Sequence, residues 1–406
     1  MALAGWCRQC SAFVWVLPDG SCAKGHGAAD VSNRYESDPL PEAPVPAPAA
    51  APAAAAAGTD AGSTTSVEHA ADAGSAGPLA ADSVQLNADD LVAAIARSGI
   101  SKGPLTPSFE EQASPDAAER LDALPGRSAE ILAVAVAALA NPPRSALAQF
   151  SVADESVSRL TLAWDDTMEQ VTVVARKSSE VAVSLRSPDE VSALLAGAVG
   201  LDGALEPLDV RVELSRQQAI AWVAFADTLR RARLQSMLIH GAPSDTCTVA
   251  DVTATLATAD AEDFRWALNM LDKVLPDAVS AVANASSITE ALEGLVAAGV
   301  LNKTPAGAGA RALYGLADVG TAALDAWSHE VSRVAVTVHG LTDDGGTTAE
   351  TVLLVRDARR LWLVTIGSER GTLTCVGTGT AERVLRTVAG AAIPESTAAA
   401  AAIGAA

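Results

Sequence analysis

One pattern of strands and a helix is written twice in this chain, and it limits the possible folds more than any other feature. Residues Val171 to Gly200 read VTVVARKSSEVAVSLRSPDEVSALLAGAVG, residues Leu361 to Gly390 read LWLVTIGSERGTLTCVGTGTAERVLRTVAG, and the two align without a gap. Val171, Val173 and Val174 fall on Leu361, Leu363 and Val364. A turn follows at Lys177-Ser178-Ser179 and at Gly367-Ser368-Glu369. Val181, Val183 and Leu185 then alternate as Gly371, Leu373 and Cys375 do. An amphipathic stretch closes each piece, with Val191, Leu194 and Leu195 against Ala381, Val384 and Leu385. Only four of the thirty pairs are identical, so the argument rests on the order of periods, two of strand type and then one of helix type. Any two strand–turn–strand–helix pieces would align comparably, and duplication is the reading preferred over that one.

The match continues upstream. Helical Ser128–Ala140 falls on Asp318–Glu330, and alternating stretches follow in both places: Leu147–Val152 and Leu160–Trp164, then Val334–Val338 and Val352–Val355. Farther back, Asp89–Ile100 resembles Thr289–Val300 with a slip in spacing. The expected fold class is α+β: duplicated helix–antiparallel sheet–helix halves with a helical insert between them, plus a small N-terminal zinc ribbon. The expected divisions are a zinc ribbon at 1–28, a Pro/Ala-rich disordered linker at 29–85, half one at 86–200, the helical insert at 201–286, half two at 287–390 and a disordered tail at 391–406.

The zinc ribbon is read from Cys7-Arg-Gln-Cys10 and Cys22-Ala-Lys-Gly-His26. Between the pairs lies a hairpin-sized insert with strand-like Phe13–Leu17 and the turn Pro18-Asp19-Gly20. Cys7, Cys10, Cys22 and His26 make a closed tetrahedral set for a structural Zn²⁺, with no open position for catalysis. So small a module lacks the core to fold alone, and the metal supplies the folding energy. Pro39–Gly58 (PLPEAPVPAPAAAPAAAAAG) reads as a stiff spacer behind it.

Charge narrows the partners. Net charge is −21, from 28 basic and 49 acidic residues, and residues 27–90 hold ten acids against Arg34 alone. Such a chain repels phosphate, which argues against nucleic acid and anionic membranes. No apolar run reaches membrane-spanning length, and no basic start followed by an apolar run marks a signal peptide. Five cysteines, three of them in the proposed ribbon, fit a reducing cytoplasm better than a disulfide framework.

Two further readings are weighed. Ile288–Leu324 has the order helix, Gly, strand, Gly-rich wing, strand, helix of a winged helix, but Ile288–Ala298 offers Glu290 and Glu293 and no basic residue to read DNA. For catalysis the sequence offers isolated His240, His329 and His339, and the pairs Asp165-Asp166 and Asp343-Asp344 next to strand ends. None makes a catalytic constellation, so a non-enzyme is expected. Trp222, Phe225, Phe264 and Trp266 gather the scarce aromatics. Core packing is the first reading for them, and anchors for a partner groove the second.

The run ALANPPRSALAQF (Ala138–Phe150), the strand pairs VSRLTLAW and EQVTVVARKSSEVAVSLRSPDEVSALL, and the return of this arrangement after a helical insert resemble the EspG family of type VII secretion chaperones. The resemblance implies a soluble α+β body of two quasi-symmetric halves that binds a helical secreted substrate. The ribbon and long linker depart from that pattern and suggest an adaptor. The expected function is therefore a protein-binding adaptor or chaperone, with a winged-helix DNA-binding regulator as the alternative.

Overall fold

The computed structural model describes residues 83–390, except 110, 153–157, 178, 202, 243, 260–262, 264, 306–310 and 343, together with the backbone of three strands nearer the N-terminus. By compactness the chain divides into Met1–His69 with Met237–Gly241, and the remainder. The N-terminal strands are β1 (Leu3–Cys7), β2 (Ala12–Val16) and β3 (Val31–Glu36), in the order β2-β1-β3. β1 and β2 are antiparallel, with Cys7 opposite Ala12.

The larger unit begins with β4 (Ser83–Asn87), α1 (Ala88–Arg97), the short α2 (Ala117–Asp122) and α3 (Gly126–Ala140). Four strands follow: β5 (Arg144–Val152), β6 (Ser158–Trp164), β7 (Val171–Lys177) and β8 (Glu180–Arg186), closed by α4 (Pro188–Val199). Then come β9 (Arg211–Ser215) and the long α5 (Arg216–Leu238). Next are β10 (Thr246–Cys247), α6 (Val249–Ala257), α7 (Ala267–Val274), α8 (Pro276–Val282), α9 (Ala285–Ala297), β11 (Leu301–Thr304), β12 (Leu313–Leu316) and α10 (Asp318–Ser328). β13 (Ser332–Leu341), β14 (Thr347–Arg356), β15 (Leu361–Ile366), β16 (Arg370–Val376) and α11 (Thr378–Ala389) complete it.

Ten strands form one antiparallel sheet in the order β4-β8-β7-β6-β5-β13-β14-β15-β16-β9. From the centre outward each side reads alike: four consecutive meander strands, then an edge strand that precedes them in sequence. β5 opens at Arg144 and β13 at Ser332. Ala148 and Val336 hold the same place in their strands and pair with each other. Two strands that meet at their own equivalent residue satisfy the condition for a local two-fold axis.

Local sequence explains the repeated helices. Ser187 caps α4 with a full capping box to Glu190, and Pro188 occupies the first helical position. Both closing helices stop at a left-handed glycine, Gly200 at φ 74° and Gly390 at φ 73°. Each end is held by the opposite half. Arg144 Nη2 of β5 donates to the carbonyls of Thr387 and Val388 on α11 at 2.8 and 2.7 Å, and Trp164 Nε1 donates to that of Ala389 at 3.0 Å. In the other direction, Ser332 Oγ of β13 donates to the carbonyl of Val199 on α4 at 2.8 Å.

The two sheet faces differ because strand side chains alternate. Under α4 and α11 the central strands present Ala146, Ala148, Leu160, Leu162, Val334 and Val336, an apolar floor. The opposite face is covered by α1 and α3 at one end, over Val174, Val181 and Val183. At the other end the helices of the second side pack on Leu353, Trp362 and Val364. Between these layers polar residues accompany Leu147 and Ala335: Gln149, Arg159, Thr161, Arg333, Thr337 and Thr351.

Two assignments from sequence change. The insert expected to be helical contains a strand: β9 precedes α5, because Val212 and Leu214 complete the sheet beside β16. The edge strand and first helix of the second side therefore lie inside the stretch 201–286 expected to be the insert. By topology α1 corresponds to α5, not to the helix at Thr289–Val300.

Candidate functional site

A cleft of about 340 Å³ opens on the polar strip of the sheet. Its floor is Leu147 of β5, Arg159 and Thr161 of β6, Val174 and Arg176 of β7 and Val181 of β8. One wall is the Ser108–Phe109 segment between α1 and α2. The other is Asp272 and Lys273 of α7 with Pro276 of α8. It exists because the two helical layers stop short of each other over an antiparallel sheet. The volume lies in the range of small-ligand sites and single side-chain pockets.

The floor carries charge. Arg159 and Arg176 are directly opposite each other across β6 and β7. Arg176 is also ion-paired with Glu111. In the wall, burial raises the Asp272 carboxyl above its ordinary range, against the opposing pull of Lys273. Gln149, next to Arg159 in register, is completely buried, and its amide has no hydrogen-bond partner among the described residues. Such an amide costs about 1–3 kcal/mol. Nothing in the sequence flagged this cleft. The signal was present as polar residues on alternate positions of central strands, which read as ordinary half-buried alternation.

The residues singled out from sequence lie elsewhere. Trp222 and Phe225 are completely buried, Trp222 stacking on Phe225 at 6.4 Å and meeting Trp327 edge-on at 5.9 Å. The idea that they anchor a partner is thereby overturned. Trp266 lies beneath the guanidinium groups of Arg230 and Arg231, at 5.6 and 4.6 Å. Phe264 is outside the described residues. Asp165 accepts from Thr167 Oγ1 at 2.7 Å and from the Gln170 amide at 3.1 Å; Asp344 accepts from Thr342 Oγ1 and the Gly346 amide. Both therefore stabilise turns. Asp343 is outside the described residues. His329 bonds the Asp325 carbonyl at 2.9 Å, while burial lowers the pKa of His339 on β13. Cys375 is buried and accepts from the Leu208 amide at 3.3 Å; Cys247 is buried too, and burial pushes its thiol well above the ordinary range.

Of the expected zinc ligands, Cys7 ends β1, and its side chain is not described. Cys10, Cys22 and His26 fall outside the described residues. Among the described residues no group of three or more His, Cys, Asp or Glu is placed to hold a metal, and no helix is long and apolar enough to cross a membrane.

The winged-helix pattern has a structural counterpart. β10, β12 and β11 form a second sheet in that order, with α6 packed on α9. α5, β10, α6, α9, β11 and β12 follow the winged-helix sequence of elements, interrupted by α7 and α8. The solvent side of α9 carries Thr289 and Glu290, and half-buried Glu293 accepts from Tyr314 Oη at 2.6 Å and Lys303 Nζ at 2.5 Å. That bond and burial push the Tyr314 hydroxyl up to about 12, burial being the larger cause.

No family model matches the chain, and no curated protein matches it. Among solved structures it is similar to the Mycobacterium tuberculosis type VII secretion system chaperone EspG5, determined in complex with the PE25–PPE41 dimer. Identity is 11%, 75% of this chain and 95% of that chain are covered, and the TM-score is 0.41. The similarity is distant.

Proposed function

We propose that this chain is a non-enzymatic adaptor or chaperone whose body binds a protein partner. In this reading two copies of one strand-and-helix unit form the body, a structural zinc ribbon at 1–28 heads it on the 29–85 linker, and it works in the cytoplasm. The cleft is the observation that carries the proposal: a surface whose floor mixes apolar Leu147, Val174 and Val181 with polar Arg159, Thr161 and Arg176 suits side chains of another protein. The EspG-like sequence pattern supports the same class of partner, a helical secreted protein. Of the acidic pairs weighed for catalysis, Asp165 and Asp344 have their carboxylates engaged by turns.

Immobilised full-length chain tests this against native-cell lysate. Proteins retained by the wild type and lost by Lys273→Glu, on the cleft wall, are the expected result. Identical retention by both would remove the cleft from the reading. For the ribbon, metal analysis should find about one zinc per chain, lowered by Cys7→Ser with Cys22→Ser; unchanged zinc would refute those ligands.

The order β10-β12-β11 favours a second reading, a winged-helix DNA-binding regulator. Its reading helix α9 has no Lys or Arg, and phosphate contact needs clustered bases. Titration of random duplex DNA at low salt should show no saturable binding. Salt-sensitive micromolar binding would place this reading first.

A further inference from the structure

We propose that the β4 edge of the ten-stranded sheet pairs with the β4 edge of a second copy of this chain, antiparallel and two-fold symmetric about Gln85. The cleft plays no part in it.

The sheet ends in two edge strands, β4 and β9. An antiparallel edge strand turns the N–H and C=O of every second residue away from its one neighbour. Register says which residues these are. Ala88 N–H donates to the carbonyl of Ser179 at 2.9 Å, and Ala88 stands opposite Ser179, one step beyond Asn87 opposite Glu180. Counting back by twos, Leu86 and Val84 also bond β8, while Ser83, Gln85 and Asn87 face outward. No described residue bonds the Gln85 N–H or carbonyl. The same count on β9, from Arg216 N–H to the Glu369 carbonyl at 2.8 Å, turns Arg211, Glu213 and Ser215 outward. That edge is guarded. Gln218 Oε1 accepts the Ser215 N–H at 2.8 Å, and Arg211 and Glu213 form an exposed ion pair along the strand. β4 reads Ser-Val-Gln-Leu-Asn, with neither charge nor proline.

A second copy is the occupant that this strand fits. Its order, polar–apolar–polar–apolar–polar, is the same in either direction, as self-pairing about a two-fold axis requires. With Gln85 opposite its own copy, the two residues exchange both backbone bonds, and each Asn87 N–H meets the Ser83 carbonyl of the other chain. The exposed Gln85 side chain meets an amide that can donate and accept as it does. Val84 faces Leu86 across the axis, on the face that both line beneath α1 and α3, so the apolar floor continues from one copy into the next. No charges of like sign are set opposite each other within the strand. On β9 the equivalent pairing would put Glu213 against itself.

Sedimentation of the full-length chain tests this. So small an interface should give self-association in roughly the 10–100 µM range. It should tighten as NaCl is raised, because a chain of net charge −21 repels its copy. Gln85→Lys sets like charges face to face and should weaken association about tenfold or more. Gln85→Pro removes an outward N–H that β8 does not use, and should do the same with the fold retained. Under mild oxidation Gln85→Cys should form more covalent dimer than the wild type, since hydrogen-bonded partners have Cα atoms about 5.5 Å apart, within disulfide reach. Ser83→Cys, about 14 Å from its own copy, should not. A chain that stays monomeric up to about 1 mM would overturn the proposal. Association that both Gln85→Lys and Gln85→Pro leave unchanged, or equal cross-linking of Gln85→Cys and Ser83→Cys, would overturn it as well.

Discussion

Half one (β4 to α4) and half two (β9 to α11) build the same half-sheet, yet they secure their helices by different means. In half one, α1 carries Asp90, 3% exposed, which accepts from Arg120 Nε at 2.9 Å and Nη2 at 2.5 Å. Arg120 is well hydrated, and the pair lies at the surface of the helical layer. In half two, α5 carries Asp227 with no exposure at all. It accepts from the Leu268 amide at 2.7 Å and from Arg230 at 3.3 Å. Arg230 and the buried Arg333 share Glu330. Burial raises the Asp227 carboxyl, and Arg230 and Arg333 oppose that shift; burial lowers the Arg333 guanidinium. The lesson is that the half with the larger helical layer buries its charges, and the half with the smaller layer leaves a cleft and keeps its charges near water.

The largest effect should come from breaking that buried network. Asp227→Ala leaves Arg230 and Arg333 to share Glu330 and the buried Leu268 amide without its acceptor, and should cost about 3–5 kcal/mol by denaturant unfolding. Asp90→Ala, whose Arg120 can rehydrate, should cost about 1–2 kcal/mol. Equal losses would mean that burial does not distinguish the halves.

The crossed helix caps come next. Arg144 reaches two carbonyls of α11 and lies 4.8 Å from the Trp164 ring centre. Burial lowers its pKa, but an arginine stays charged. Ser332 gives α4 one neutral bond. Arg144→Ala should cost about 2 kcal/mol and Ser332→Ala about 1 kcal/mol. Hydrogen exchange should quicken at the end of α11 in the first variant and at the end of α4 in the second. Exchange that quickens in the wrong helix would refute the crossing.

The terminating glycines sharpen the comparison at lower cost. Gly200→Ala should lose about 1 kcal/mol for its left-handed backbone. Gly390→Ala should lose more, because its added Cβ would meet Trp164 Nε1 at 3.0 Å. Thermal unfolding of the two variants checks the ranking.

What the sequence revealed follows the strength of local periodicity. The eight meander strands and both closing helices were legible because Val171–Val174 and Leu361–Val364 alternate with their neighbours and Gly200 and Gly390 mark the stops. β9 was not, because RVELS runs into an α5 whose apolar residues lie all round, and only pairing with β16 makes it a strand. The cleft was invisible for a related reason. Arg159 and Arg176 look solvent-facing in any strand, and their facing each other is a fact of register. The aromatic cluster was read first as core, and Trp222 and Phe225 are completely buried: a core built largely from Ala and Val uses its few large side chains as fillers.

The smallest difference between the halves is one of pH. Glu190, in the first turn of α4, receives the Ser187 amide at 2.7 Å and its hydroxyl at 3.0 Å. The backbone bond is the larger cause of its lowered pKa, with the hydroxyl second. The corresponding turn of α11 has no carboxylate, since Thr380 stands there. A carboxyl whose folded pKa lies below its unfolded value adds stability above the unfolded value, near 4.5, and loses it as pH falls through the folded one. Glu190 is exposed, so solvent screening keeps the effect to a few tenths of a kcal/mol. Amide exchange of α4 and α11 followed from about pH 6 to about pH 3, corrected for intrinsic rates, should therefore show α4 losing protection relative to α11 toward acid. Glu190→Gln should remove that difference while leaving protection at neutral pH slightly reduced. If α4 and α11 lose protection in parallel in the wild type, the capping carboxylate does not set the acid response of its helix. The two closing helices would then be equivalent in this respect despite their different first turns.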